Sequence, residues 1–205
     1  MGLFDNNDER KRKQEEMRNS GRLPPGQSLT LKWPVLHEGP IPKFDPQQWD
    51  FFCAGLVELP LRLSYADFME LPRVKITADF HCVTHWSKFD NLWEGVSFAE
   101  IVKRVRPKPE VRYVMVEAEH SYTANVPLKD LQDPDVLFAW KHNEENLAPE
   151  HGWPLRLVVP KLYAWKSVKW VRGLEFRKYD RPGFWERNGY HMYGNPWQEQ
   201  RFDTD

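Results

Sequence analysis

The chain has 205 residues, with 29 Lys and Arg against 30 Asp and Glu, for a formal net charge of −1. That balance supplies no bulk attraction to phosphate backbones, so nucleic acid is not the expected partner. Mean hydropathy is −0.72, and apolar runs such as Phe51 to Val57 fall well short of the roughly 18 residues of a membrane span.

Residues 1–27 read as a charged N-terminal tail, mobile or at most a loosely held solvated helix. Between Asp5 and Arg22 only Met17 is apolar, too little to offset the entropy of ordering. Basic residues Arg10 to Lys13 are followed by Gln14-Glu15-Glu16-Met17-Arg18, where an export signal would carry an apolar region. The two cysteines, Cys53 and Cys82, form no CxxC pair, which suits a reducing compartment. A cytoplasmic location follows as the expectation.

A globular domain is expected over residues 28–180. Trp49 to Glu58 reads as a buried strand. Ser64 and Asp67 form a capping-box pair opening a short helix, with Leu63 stapled onto Phe68 and Leu71-Pro72 as the stop. Val74, Ile76, Ala78 and Phe80 then alternate with Lys75, Thr77 and Asp79, the period of a half-buried strand that carries Cys82 on its inward parity. Ser97 and Glu100 open a second helix with Phe98, Ile101, Val102 and Val105 on one face before Pro107.

Val111 to Ala118, Leu155 to Val159 and Val168 to Phe176 read as further strands. Several strands and short helices without regular alternation predict an α+β fold. The 10 Trp and 17 Pro add a core of large rings and many turns. Residues 181–205 form an aromatic-rich extension expected to wrap the domain surface.

Cys82 lies in His81-Cys82-Val83-Thr84-His85-Trp86-Ser87, where a strand becomes a loop. A thiolate there is a soft donor suited to a transition metal, although a lone inward cysteine also serves as a buried hydrophobe. His81 and His85 flank it, but no ligand pair has a recognised zinc spacing and no nucleophile motif marks a cysteine hydrolase. Arg156 interrupts an otherwise apolar run, and with Lys166, Ser167 and Lys169 it would suit a phosphate. The competing reading is the solvent face of a strand.

Together these stretches resemble the sulfite oxidase-like molybdopterin oxidoreductases, a family that also contains the bacterial methionine sulfoxide reductase catalytic subunit. The likeness rests on Gly55-Leu56-Val57-Glu58-Leu59-Pro60, Asp79 to Ser87, Trp93-Glu94-Gly95-Val96, Ser121-Tyr122-Thr123, His151-Gly152-Trp153-Pro154-Leu155-Arg156 and Val159 to Trp170. It implies the mixed sheets and short helices of the sulfite oxidase molybdopterin-binding fold.

It also implies a molybdopterin cofactor carrying molybdenum or tungsten, with Cys82 as the protein's metal ligand. His151, Arg156, Lys166, Ser167 and Lys169 become the cofactor-binding set, with Trp86, Trp93 and Tyr163 walling the pocket. Cys82, His85 and Tyr163 become the catalytic candidates, with His81 a further candidate for proton delivery.

The implied activity is two-electron oxygen-atom transfer on a small substrate, sulfoxide-, N-oxide- or sulfite-like, with a separate electron-transfer partner. The alternative is a non-catalytic molybdopterin carrier. Sulfite oxidases place arginines just after the metal-binding cysteine, and Val83-Thr84-His85-Trp86-Ser87 has none, which counts against sulfite.

Overall fold

A computed structural model describes residues 3–205 of the chain, with side chains from residue 8 onward. In chain order the elements are α1 (Leu3–Asn19), β1 (Ser28–Leu29), β2 (Asp50–Gly55), β3 (Leu61–Ser64), α2 (Tyr65–Met69), β4 (Val74–Cys82), β5 (Trp86–Ser97) and α3 (Phe98–Val105). There follow β6 (Tyr113–Ala118), β7 (Thr123–Pro127), α4 (Leu128–Leu131), β8 (Leu137–His142), β9 (Glu145–Asn146), β10 (Arg156–Val158), β11 (Val171–Arg177) and α5 (Phe184–Arg187).

Two mixed sheets with few short helices make up the domain. One runs β1-β5-β8-β10, with β4 also on β5 and β9 also on β8; the other runs β3-β2-β11-β6-β7. Their facing sides meet through Phe51, Cys53, Phe68, Val96, Phe98, Val116, Phe138, Leu157, Leu174 and Phe176. Each such ring or branched chain contributes about 1.5–3 kcal/mol of apolar burial.

The cap signals work locally. Ser64 accepts from the Asp67 amide while Asp67 reaches back to the Ser64 amide, a complete capping box. Ser97 accepts from the Glu100 amide, but Glu100 itself turns to Arg104 at 2.7 Å, so only half of that box forms. The strands read at 155–159 and 168–176 are real but lie in different sheets: β10 pairs with β8, and β11 pairs with β2 and β6. The connection between them therefore passes from one layer to the other.

Of the stretch read as a tail, residues 1 and 2 lie outside the described residues. The rest includes α1, and its ties to the domain are mainly polar. Met17 is buried with Leu23 and Leu29, Gln14 accepts from the Leu29 amide at 2.9 Å, and Arg22 grips Asp79 through two bonds of 2.9 and 2.6 Å. Scarcity of apolar residues thus does not leave this segment unanchored, because directional bonds supply what burial does not.

Candidate active site

On the side of the first sheet away from the main core lies a cavity of about 310 Å³ whose lining includes Trp33, Phe80, Cys82, Trp86, Arg156, Trp165, Ser167, Lys169, Trp185 and Tyr190. That volume is at the lower end of small-molecule sites. Cys82 ends β4, and the turn 83–85 returns the chain into β5 with His85 at φ 68°. The thiol is buried, and its Sγ lies 3.1 Å from Thr84 Oγ1. Burial pushes its pKa up, while Thr84, Arg201 and Lys169 pull it the other way. A neutral thiol is the result unless a cation takes the proton's place.

Arg156 is only 2% exposed. Its guanidinium donates to the carbonyls of His151 (2.8 Å) and Ser167 (3.0 Å) and lies 5.1–5.7 Å from the ring centroids of Phe80, Trp33 and Trp93. Its Nε has no partner, and no carboxylate pairs with it among the described residues. Burial drives its pKa well below the ordinary arginine value. Enclosing a cation this way costs several kcal/mol and leaves the site short of an anion.

Lys169 adds a second cation at the same cavity. Its Nζ donates to the carbonyls of Leu36 (2.7 Å) and Glu150 (2.6 Å), and burial, then Arg156, pushes its pKa down to about 7. Gly152 makes room for this arrangement. It sits at φ +117°, and a Cβ there would meet the Arg156 Cβ at 3.0 Å and the Lys169 Cβ at 3.3 Å.

The predicted residues separate into two groups. Cys82, Arg156, Ser167 and Lys169 all line the cavity, although the Ser167 hydroxyl also accepts from the Val159 amide at 2.9 Å. His151 stands just behind, stacked on Trp33 at 3.9 Å, with its Nδ1 buried and unpartnered. Lys166 points elsewhere: its ammonium is enclosed by Glu186 Oε1 (2.6 Å), Asn125 and the Met192 carbonyl.

His85 is exposed and contacts the Gly26 carbonyl at 2.9 Å. Tyr163 is fully buried, with the Arg201 guanidinium 4.9 Å from its ring centroid. His81 is bonded to Ser87 at 2.8 Å, inside the sheet. Of the expected walls, Trp86 faces the cavity, whereas Trp93 lies under Arg156. No cluster of three or more His, Cys, Asp or Glu side chains suited to a metal occurs among the described residues.

Sequence reasoning missed Trp33, Trp185 and Tyr190 as lining residues. Trp33 comes from the loop after β1 and gave no periodic signal. The other two belong to the aromatic extension, where composition marked large rings without saying what they cover.

Three comparisons bear on this geometry. The family model described as oxidoreductase molybdopterin binding domain matches residues 38–185. The chain is 50% identical over 187 residues to the uncharacterized oxidoreductase YuiH of Bacillus subtilis (strain 168), covering 91% of this chain and 94% of that protein. It is 30% identical over 193 residues to sulfite oxidase of Arabidopsis thaliana, covering 77% of this chain but 49% of the relative. Among solved structures, the sulfane dehydrogenase SoxCD from Paracoccus pantotrophus superimposes with a TM-score of 0.63 and 26% identity, over 73% of this chain and 42% of that one.

Proposed function

Because the chain belongs to the oxidoreductase molybdopterin-binding domain family, we propose that it catalyses two-electron oxygen-atom transfer on a small substrate, with Cys82 as the protein's ligand to a molybdopterin-bound metal. The cofactor, when bound, supplies the redox metal and the oxygen-accepting position. The chain's residues hold and insulate it. Arg156 and Lys169 neutralise its anionic end, Ser167 and His151 offer further polar atoms beside them, and Trp33, Phe80 and Trp86 keep water out.

One observation carries this reading: a fully enclosed Arg156, with no carboxylate partner among the described residues, shares a cavity with a buried thiol. A cation so placed is stabilised by an anion arriving from outside. The unpartnered Nε of Arg156 and Nδ1 of His151 are polar atoms such a ligand can satisfy. Cys82 gives a soft donor to a metal, which a carrier binding only the organic part would not need.

His85 and Tyr163 are proposed in supporting roles. His85, at the rim of the Cys82 turn, is the nearer to solvent and suits proton exchange. Tyr163 packs behind Cys82 and Val83 in the same cluster and steadies the turn. For Lys166 the supporting contacts are all to protein groups, so its contribution to cofactor binding is indirect, through the shape of the wall.

Electrons pass to or from a separate carrier. The two free cysteines favour a reducing, cytoplasmic setting. No described helix is long and apolar enough to cross a membrane.

Metal and pterin analysis of the purified protein tests the proposal. Near-stoichiometric molybdenum or tungsten that falls at least tenfold in Cys82→Ser is the expected result. A metal-free, pterin-free wild type from cells with ample cofactor supply overturns it.

A further inference from the structure

One wall of the cavity carries none of the residues assigned above to the cofactor's anionic end. Trp165, Trp185 and Tyr190 line it beside Cys82, Val83 and Thr84. Trp185 stacks on Tyr190 at 4.8 Å and 25°, and Tyr190 meets Trp165 edge-on at 5.1 Å and 84°. Two of these three rings come from the C-terminal extension, at or beyond the end of the family match at residue 185.

The wall is fixed rather than incidental. The Trp165 indole N–H donates to Glu186 Oε1 at 2.8 Å, and that carboxylate is pinned by Lys166 at 2.6 Å. The chain crosses Trp165 at Gly194, where φ is +80° and a Cβ would strike the indole at 2.6 Å.

Its three rings carry no charge, and its polar atoms are few: the Tyr190 hydroxyl, the Trp185 N–H and the Thr84 hydroxyl, which lies 3.1 Å from the Cys82 Sγ. Trp165 spends its N–H on Glu186, and the Tyr122 hydroxyl is spent on the Trp165 carbonyl at 3.0 Å. The nearest cation of the extension, Arg201, lies behind the surface: it donates to the Val83 carbonyl at 2.6 Å, is 5% exposed and does not line the cavity. The lining cations Arg156 and Lys169 are the ones assigned to the cofactor. Aromatic rings hold flat apolar groups through burial and stacking, and their partly negative faces offer an oxyanion no attraction.

We infer that Trp165, Trp185 and Tyr190 set specificity for a neutral S-oxide or N-oxide bearing a flat apolar group, rather than for a small oxyanion. The inference rests on the oxygen-transfer reading above. For a sulfoxide, the S–O bond breaks, two electrons and two protons are taken up, and thioether and water leave. In an assay the electrons come from two equivalents of a reduced viologen.

The test uses the holoenzyme with methyl p-tolyl sulfoxide, dimethyl sulfoxide and, with ferricyanide as acceptor, sulfite. The tolyl compound is expected to have a KM at least tenfold below dimethyl sulfoxide, and sulfite to be the poorest. Trp185→Leu and Tyr190→Ala should raise the tolyl KM about tenfold and move the dimethyl sulfoxide KM far less, while molybdenum content stays within about twofold. Tyr190→Phe, which keeps the ring, should restore the wild-type value.

Calorimetric binding of methyl p-tolyl sulfide, which needs no turnover, should weaken in the same two variants. Equal KM values for the two sulfoxides, indifference of tolyl binding to both variants, or a preference for sulfite overturns the inference. A wild type without molybdenum overturns the cofactor reading instead, and the sulfide titration then decides the wall on its own.

Discussion

Arg156 and Lys166 belong to one continuous stretch of chain and are exposed by only 2% and 0% respectively. Lys166 has its anion built in, Glu186 at 2.6 Å, and fills its other donor positions with Asn125 and the Met192 carbonyl. Arg156 has two carbonyls, three aromatic faces and an idle Nε. A buried cation whose charge is answered inside the fold belongs to the architecture. One whose charge is not answered marks where a charged ligand goes.

The sharpest way to break this contrast is to remove each cation from cofactor-free protein and compare urea midpoints. Lys166→Met leaves the Glu186 carboxylate enclosed without its partner and should cost about 3–5 kcal/mol. If it costs no more than Arg156→Met, the two cations are not different in kind.

Acid should expose the second difference. Burial, ahead of neighbouring charges, pushes His81 down to about 4, His142 to about 3 and His151 to about 4, and Arg156 adds to the effect on the last two. Below the ordinary histidine value of about 6.5 the unfolded chain takes protons that the native state refuses. Stability is therefore complete above that pH and is lost as pH falls toward 4. Between pH 7 and 5.5 the loss should be on the order of 2 kcal/mol, less than the full sum because His151 is only half-buried and solvent screens it. In Arg156→Met the same titration should be shallower.

Arg156→Met itself should change cofactor-free stability by only about 1–2 kcal/mol, because two lost hydrogen bonds are offset by relief of an enclosed charge. Its pterin content, measured on protein from cofactor-replete cells, should nonetheless collapse. Full pterin retention would place Arg156 with Lys166 as architecture. Smallest of all, Ser64→Ala, remote from both cations, should cost about 1 kcal/mol by thermal melting and leave pterin content unchanged.

The sequence pattern carried much of this. Ser64 with Asp67, the alternation from Val74 to Phe80, and Cys82 at a strand end are local signals, and the local physics of caps and pleats makes them readable. β8 was missed because Leu137 to Trp140 are all buried and show no alternation. β5 was missed because Asp90, with φ 54°, and a register shift at Gly95 break its pattern.

At the site, residue type pointed to Cys82, Arg156, Ser167 and Lys169, which the fold gathers round one cavity. Type could not separate Lys166 from Lys169, since which way each points depends on a 3-10 turn at Ala164–Lys166. Glu186, the partner that captures Lys166, arrives from the distant C-terminal extension. Adjacent cations in a sequence are equivalent until the fold assigns their anions.

The crossing of the chain between the two sheets has a mechanical consequence. Cys82 and Arg156 stand on the first layer, while Ser167 and Lys169 lie on the span that leads into β11 of the second. A ligand gripped by all four acts as a rivet through both layers. Loading the cavity should therefore slow amide exchange well beyond its rim, along β2 and β6 as well as β4, and the empty protein should be the more easily cut by proteases.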